Sequence, residues 1–189
     1  MSAGRVLVIY GTSYGQTAKI ARRIGEVLQR GGAAVEYCDA ARGRPSLGPE
    51  QYSAIVVGAS LIARGVQPPI RRFVRENLAA LNRTPSAFFL VSASAGSPSA
   101  KGRQAAQRIL DGFLAAESWR PAASASIAGA INYTKYGFLL RWYMKRASAM
   151  HGGSTDTSRD HEYTDWNQVE RFAAEVGDTV GILQTVDSR

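Results

Sequence analysis

A chain of 189 residues is long enough for one domain with its own hydrophobic core and too short to suggest two. No apolar run approaches the roughly 20 residues that a membrane-spanning helix needs, and the first residues lack a signal-peptide pattern, so we expect a cytoplasmic protein, soluble or peripheral to a membrane. The formal net charge of +8 suits nucleic acid, an anionic membrane surface or an acidic small substrate, and does not choose among them.

Strand-like apolar runs and amphipathic segments alternate along the chain. The predicted strands are 5–10, 34–38, 54–59, 87–92 and 124–131, and the predicted helices are 16–30, 69–81, 102–116 and 165–183. Continuously apolar strands indicate a sheet that is covered on both faces, and the alternation implies right-handed crossovers. The sequence therefore predicts a single α/β domain over residues 1–189, with a five-stranded parallel sheet and helices on both faces.

The first predicted strand leads into a turn rich in hydroxyl groups and glycine, and this turn opens the first helix. Its residues are Thr12, Ser13, Tyr14, Gly15, Gln16 and Thr17. The N–H groups at a helix start lack partners and attract anions. The turn contains no Lys or Arg, so it lacks the lysine of a triphosphate-binding P-loop, and the three glycines of the dinucleotide fingerprint are also missing. We predict a site for a single terminal phosphate held by neutral donors.

This strand and turn, with Ala21 and Ile24 in the helix, resemble the signature of flavodoxin-type proteins, in which the same loop holds the phosphate of FMN. The resemblance implies a flavodoxin-like fold and FMN as the cofactor.

Ligands of such sheets bind beyond the carboxyl ends of the strands, and this rule selects two further loops. The loop after the third predicted strand supplies Ser60, Leu61, Arg64 and Gly65, and the loop after the fourth supplies Ser92, Ala93, Ser94, Ala95 and Gly96. In the flavodoxin-like fold these loops bracket the flavin ring. Flavodoxins usually stack an aromatic side chain on each ring face, whereas both loops here lack one, so we expect an open flavin face.

A long insertion of about thirty residues, 132–164, separates the fifth predicted strand from the last helix, and connections of this length are usually functional or disordered. The helical period of 134–150 argues against disorder. One stripe of this helix is apolar and should pack on the body: Tyr136, Leu139, Leu140, Tyr143, Met144, Ala147 and Met150. The far side carries aromatic and basic residues: Lys135, Phe138, Arg141, Trp142, Lys145 and Arg146.

Three interpretations of that far side remain open. Aromatic rings and cations suit the headgroup layer of an anionic membrane. They also suit a flat dicarboxylic substrate, which would stack on rings and engage basic groups, with Tyr133 among the contacts. Alternatively, the segment is a lid helix that buries Phe138 and Trp142 against neighbours and leaves its charges solvated. A nucleic-acid partner has no support from the phosphate-binding turn.

Few residues suit acid–base catalysis, and we nominate no catalytic side chain. His151 and His161 both lie in the insertion, and the glycines after His151 predict a helix end with a surface histidine. We expect Asp156 and Asp160 to order their loop by accepting backbone hydrogen bonds, and Asp165 to cap the last helix. The two histidines and the single cysteine share no metal-ligand spacing.

Several further short segments of the sequence make the family resemblance more specific. They are Pro85–Phe89, Ser118–Pro121, Ile127–Ala130, Gly152–Thr157 and Tyr163–Trp166. Together with the turn and the insertion, they resemble the bacterial quinone-dependent protoporphyrinogen IX dehydrogenases. The resemblance implies that FMN takes hydrogen from protoporphyrinogen IX in repeated two-electron steps and passes the electrons to menaquinone or ubiquinone, as a step of haem biosynthesis on the inner face of the cell membrane.

Two other functions remain as alternatives. One is a flavodoxin-like electron carrier that docks a protein partner through the insertion, although its positive charge would require an acidic partner. The other is an NAD(P)H:quinone reductase, which shares the cofactor and the open face. The sequence leaves homodimer formation open.

Overall fold

Strands of the main sheet are β1 (Arg5–Tyr10), β2 (Ala34–Asp39), β3 (Ala54–Ile62), β5 (Ser86–Ser92) and β6 (Ala123–Ala128), with the short β4 (Gly65–Val66) after β3. The five long strands are parallel and follow the order β2-β1-β3-β5-β6. The computed structural model describes residues 4–43, 51–62, 65–135, 137–138, 141–142, 145–146, 149 and 156–179. The parallel five-stranded sheet predicted from the sequence is confirmed.

Helices cover both faces of this sheet. They are α1 (Gln16–Arg30), α2 (Pro68–Glu76), α3 (Leu78–Arg83), α4 (Ala100–Glu117) and α5 (Trp166–Thr179). Successive side chains of a strand point to opposite faces, so β1 feeds two cores. Val8 packs in one core with Ile24 of α1 and Phe172 of α5. Its neighbour Ile9 packs in the other core with Leu110 of α4.

The third strand is longer than predicted. It continues past Ala59 to Ile62 and turns back into β4, with Leu61 opposite Val66 and Ile62 opposite Gly65. Gly65 has φ +100°, a left-handed conformation that glycine adopts without strain. The predicted loop 60–65 is therefore corrected to a β-hairpin, and Arg64 lies outside the described residues.

The fifth strand ends earlier than predicted. The main-sheet strand stops at Ala128, and Gly129 separates it from β7 (Ala130–Ile131), which pairs antiparallel with β8 (His161–Glu162). A Cβ atom at Gly129 would lie 2.7 Å from Cγ1 of Val91, so the break needs glycine for a close approach to β5. The base of the insertion is thus held by a two-stranded antiparallel sheet that follows the carboxyl end of β6.

The helices follow the predicted pattern with one interruption. Helix 69–81 was predicted as one element but divides at Asn77, whose side chain donates to the carbonyl oxygen of Phe73 at 2.9 Å. The end of the last predicted helix, 180–183, lies outside the described residues. Within the described ranges, every helix is too short or too polar to traverse a lipid bilayer.

Candidate functional site

The turn between β1 and α1 has the geometry of an anion site. The N–H of Gly15 donates to Oγ1 of Thr12 at 2.9 Å, which folds the turn onto itself. Gly15 has φ +96°, and a Cβ atom there would meet no atom of the described residues within 4 Å. The turn therefore uses the left-handed freedom of glycine, and the described part of the chain leaves the space beside Gly15 open.

The N-terminus of α1 offers N–H donors, and no acidic side chain of its first turn competes with an anion for them. No side chain caps this helix and its first turn contains no acidic residue. The first N–H groups of a helix have no partner within the helix, and the helix dipole adds a partial positive charge there. The open space at Gly15, these N–H groups and the nearby hydroxyls of Thr12 and Ser13 fit a phosphate group, which is what the flavodoxin-like resemblance requires.

The Gln16 side chain is engaged elsewhere. Its Nε2 donates to Oγ1 of Thr164 at 2.9 Å, and that hydroxyl in turn donates to the carbonyl oxygen of Ala128 at 2.8 Å. Gln16 was predicted as a cofactor contact through the turn. The structure leaves only its backbone N–H for that role and uses its side chain to tie the turn to the end of the insertion.

Gln67 is a residue of this edge that sequence reasoning missed. Its Oε1 accepts from the N–H of Ser60 at 2.9 Å, and its Nε2 donates to Oγ of Ser13 at 3.2 Å. The side chain lies under the chain at Gly11, where a Cβ atom would come within 2.8 Å of Oε1. A buried amide therefore joins the phosphate-type turn to the end of β3. In the sequence, Gln67 reads only as the residue before Pro68, a helix-start signal.

The loop after β5 is ordered by its own hydroxyl groups. Residues Ser94–Gly96 form a 3₁₀ turn, and Oγ of Ser92 accepts from the N–H of Ala95 at 3.2 Å. At Gly96 a Cβ atom would lie 3.1 Å from the Cβ atoms of Ala128 and Tyr163. This loop is thus backed by the last residues of the insertion. The candidates Ser92, Ala93, Ser94, Ala95 and Gly96 lie together at the carboxyl end of the sheet, as predicted.

An aromatic cluster joins the insertion to the turn. Tyr133 is fully buried with Ile131, and Tyr14 and Tyr163 pack against this pair. The His161 ring lies edge-on to Tyr133, with 5.9 Å between ring centroids. Because Tyr133 is inside this cluster, the expectation that it meets a substrate or a membrane is corrected: it anchors the insertion.

The two aspartates of the insertion act as predicted. Asp160 Oδ1 accepts from the N–H and Oγ1 of Thr134, at 2.9 and 2.7 Å, and the backbone N–H is the larger cause of a lowered pKa. Asp156 Oδ1 accepts from the hydroxyl and N–H of Ser158, and the hydroxyl chiefly lowers the pKa of Asp156. Both carboxylates stay ionised at neutral pH and order their loop, so neither is suited to donate a proton.

The last helix is capped as predicted. Asp165 Oδ1 accepts from the N–H groups of Asn167 and Gln168, at 2.9 and 3.2 Å. His151 lies outside the described residues, so its predicted role at a helix end stays a prediction. Across the described ranges, no group of three His, Cys, Asp or Glu residues is arranged to hold a metal ion.

The insertion presents an exposed aromatic and basic face. Its described residues between 138 and 149 are helical, and Phe138 and Trp142 are 82% and 58% exposed. The guanidinium carbon of Arg146 lies 5.5 Å from the centroid of the Trp142 ring, Lys145 is exposed and Arg141 is half-buried. We call Phe138, Arg141, Trp142, Lys145 and Arg146 the insertion face. Their exposure contradicts the lid interpretation, which required the two rings to be buried.

Of the other predictions about the insertion, one falls on residues outside the described ranges, and the one for Lys135 differs from the structure. The apolar stripe that was expected to pack on the body lies outside the described residues: Tyr136, Leu139, Leu140, Tyr143, Met144, Ala147 and Met150. Lys135 departs from the insertion face. Its Nζ donates to the carbonyl oxygen of Tyr14 at 3.3 Å, in the turn before α1.

The parallel sheet has the strand order β2-β1-β3-β5-β6, and a turn that contains glycine leads from β1 into a helix without a side-chain cap. Together these features define the flavodoxin-like class of α/β proteins. The solved structure of oxidised flavodoxin 1 from Bacillus cereus superposes with a TM-score of 0.56 at 18% identity, covering 92% of this chain and 97% of the flavodoxin. At that identity the likeness shows the fold alone.

Residues 7–158 match the family model described as Flavodoxin domain. Protoporphyrinogen IX dehydrogenase (quinone) of Escherichia coli strain K12 is 34% identical over 173 residues, which cover 91% of this chain and 94% of that protein. A protein of the same name from Leishmania major is 31% identical over 124 residues, or 66% of this chain and 53% of that protein. The chain belongs to the flavodoxin domain family, and both resemblances drawn from the sequence are confirmed.

Proposed function

We propose that this chain oxidises protoporphyrinogen IX to protoporphyrin IX with bound FMN, and that it passes the electrons to a membrane quinone in haem biosynthesis. The supporting observation is the 34% identity to the E. coli dehydrogenase, which extends over 94% of that protein and includes the insertion. The broader statement, a flavodoxin-like oxidoreductase with a flavin cofactor, follows from membership of the family.

FMN is the flavin that best suits the turn before α1. The site would hold one terminal phosphate through the first N–H groups of α1 and the hydroxyls of Thr12, Ser13 and Thr17. Because Oγ of Ser13 accepts from Gln67, its own O–H remains able to donate. A bound FMN would supply the redox chemistry, taking two electrons at a time from the substrate and giving them to an acceptor.

The remaining candidates would position the isoalloxazine ring. Ser60 and Leu61 at the end of β3 and the residues Ser92–Gly96 after β5 lie at the same edge of the sheet as the turn. Backbone and hydroxyl groups there would contact the polar edge of the ring. Since no aromatic side chain belongs to either loop, the ring face would stay open to a large, flat substrate such as a porphyrinogen.

The insertion face supports two forms of this proposal. Exposed Phe138 and Trp142 beside Lys145 and Arg146 suit the headgroup layer of an anionic membrane, where a quinone pool is reached. The same cations and rings suit the propionates and ring system of the substrate. We favour the membrane form, with the protein on the inner face of the cell membrane, because no Asp or Glu occurs between Glu117 and Asp156 to repel anionic lipid.

We also propose one domain over residues 1–189, with 132–164 as an integral part. Contacts from Tyr14 to Tyr133 and from Gln16 to Thr164 support this, since they join the insertion to the first helix start.

The proposal is tested by cofactor identity and turnover. The purified protein should be yellow and release FMN on denaturation, and it should form protoporphyrin IX from protoporphyrinogen IX when menaquinone or ubiquinone is added. A preparation that contains FAD, or FMN-loaded protein that forms no porphyrin with either quinone, would overturn it.

A further inference from the structure

We propose that Lys135, a residue of the insertion, supplies the positive charge that neutralises the phosphate of the bound mononucleotide. This inference rests on the proposed function, because it takes the turn Thr12–Thr17 as the phosphate site. It assigns a cofactor-binding role to a residue far from the turn in sequence.

The side chains of the turn itself do not neutralise the negative charge of a bound phosphate. Residues 12–17 contain no Lys or Arg, so hydroxyl and N–H groups are the donors that the turn offers. A phosphate monoester carries about −1.5 to −2 charges at neutral pH. Neutral donors solvate such a group but do not cancel its charge, and a cation near the site would strengthen binding.

Lys135 brings a cation to this place. Its Nζ lies 3.3 Å from the carbonyl oxygen of Tyr14, the residue directly before Gly15. An ammonium group has three donors, and this hydrogen bond uses one of them. Within the described chain, the ammonium of Lys135 has no carboxylate within 4 Å, so its charge is available to a ligand.

Another cation close to the turn in sequence is already paired. Lys19 lies in the first turn of α1, and its Nζ is 3.4 Å from a carboxylate oxygen of Glu162. Asp160 is the acid whose pKa is lowered partly by the charge of Lys135, but its Oδ1 is taken by the N–H and hydroxyl of Thr134. Among the described residues, Lys135 is thus a cation that lies against the turn without a carboxylate partner.

The backbone of Lys135 is held in place by the residues that precede it. Tyr133–Lys135 form a 3₁₀ turn, with the N–H of Lys135 donating to the carbonyl oxygen of Asn132 at 3.0 Å. Tyr133 is fully buried and Thr134 is bonded to Asp160. A flexible four-carbon stem on a fixed backbone lets the ammonium move the short distance from the Tyr14 carbonyl to an anion at Gly15.

The test compares FMN with riboflavin, which lacks the phosphate. Dissociation constants of both ligands for the full-length, flavin-free protein are measured by flavin fluorescence quenching at low and high salt. Lys135→Met is expected to bind FMN about tenfold more weakly at low salt and riboflavin equally well, since it loses a charge-assisted contact to the phosphate alone. Lys135→Arg should retain most of the FMN affinity.

Lys145→Met is the matched control, because it removes the same charge from an exposed position of the same insertion. Its FMN affinity should equal that of the wild type. The salt dependence of FMN binding should be weaker in Lys135→Met than in the wild type or the control.

Three outcomes would overturn the inference. Equal losses for FMN and riboflavin in Lys135→Met would mean that the lysine only holds the turn in shape. Unchanged FMN affinity would mean that its charge does not reach the phosphate. A wild-type protein that binds riboflavin as tightly as FMN would instead reject the phosphate site, and with it the FMN part of the proposed function.

Discussion

Gln16 and Thr164 are joined by a hydrogen bond of 2.9 Å although they stand 148 residues apart. The first residue of α1 is thereby fastened to the last residue of the insertion. Together with the packing of Tyr14 against Ile131 and Tyr133, this contact makes the phosphate-type turn and the base of the insertion one structural unit. We therefore expect a substitution in the turn to affect the base of the insertion, and a substitution at that base to affect the turn.

Gly15 provides a test of backbone geometry at the turn. Gly15→Ala should lower the free energy of unfolding by about 1–2 kcal/mol, because a residue with a Cβ atom is strained at φ +96° even though no atom of the described residues lies within 4 Å of that Cβ. Urea unfolding of the flavin-free protein measures this change.

Gly112→Ala is the matched control for Gly15. Gly112 lies inside α4, and a Cβ atom there also meets no atom within 4 Å in the part of the chain that the structure describes. Alanine should stabilise this helix by about 0.5–1 kcal/mol. The same substitution in two open positions is thus expected to have opposite signs, and destabilisation of similar size at both would contradict the account of the turn.

Gln67 should be required to hold the turn before α1 in its position relative to the end of β3. Gln67→Leu removes the acceptor of the Ser60 N–H and the donor to Ser13, and an unsatisfied buried N–H costs about 1–3 kcal/mol. Both the stability of the flavin-free protein and its affinity for FMN should fall. Gln104→Leu, at an exposed position of α4, should change neither. If FMN affinity survives in Gln67→Leu, Gln67 does not position the loops.

Elements that depend on local sequence signals were predictable, whereas contacts between residues far apart in the sequence were not. β1, the turn and α1 agree with the prediction because an apolar run, a glycine turn and an amphipathic helix are local signals. The break in the predicted strand 124–131 was missed because it depends on the close approach of Gly129 to Val91, a residue of another strand. The contacts of Gln67 with Ser13 and of Lys135 with Tyr14 were missed for the same reason, since these partners lie 54 and 121 residues apart in the sequence.

The hydroxyl groups of the turn should contribute directly to phosphate binding. The double variant Thr12→Val, Thr17→Val should bind FMN at least about tenfold more weakly, since each valine leaves phosphate oxygens without a donor. Isothermal titration of the flavin-free protein measures this. Thr179→Val, at an exposed position near the end of α5, is the control and should bind FMN normally. Unchanged affinity in the double variant would remove the phosphate from this turn.

The insertion face should bind anionic lipid. The variant Lys145→Glu, Arg146→Glu should bind phosphatidylglycerol vesicles several-fold more weakly than the wild type at low salt, because two exposed cations beside Trp142 are reversed. Vesicle co-sedimentation measures binding, and raising the salt should weaken the wild type as well.

The control for the insertion face is Arg83→Glu, Lys101→Glu, which changes the net charge equally at exposed positions of α3 and α4. It should bind vesicles like the wild type. If both variants bind vesicles normally but Lys145→Glu, Arg146→Glu raises KM for protoporphyrinogen IX, the face serves the substrate and the membrane form of the proposal is wrong.

We expect protoporphyrinogen IX to reduce a flavin bound at the carboxyl edge of this sheet. The direct measurement is anaerobic mixing of the FMN-loaded protein with protoporphyrinogen IX and, in a parallel sample, with NADPH, while flavin absorbance is followed. Loss of the flavin absorbance with protoporphyrinogen IX, and its persistence with NADPH, is the expected result. Bleaching by NADPH while protoporphyrinogen IX leaves the absorbance unchanged would contradict the proposed function and identify an NAD(P)H-dependent reductase instead.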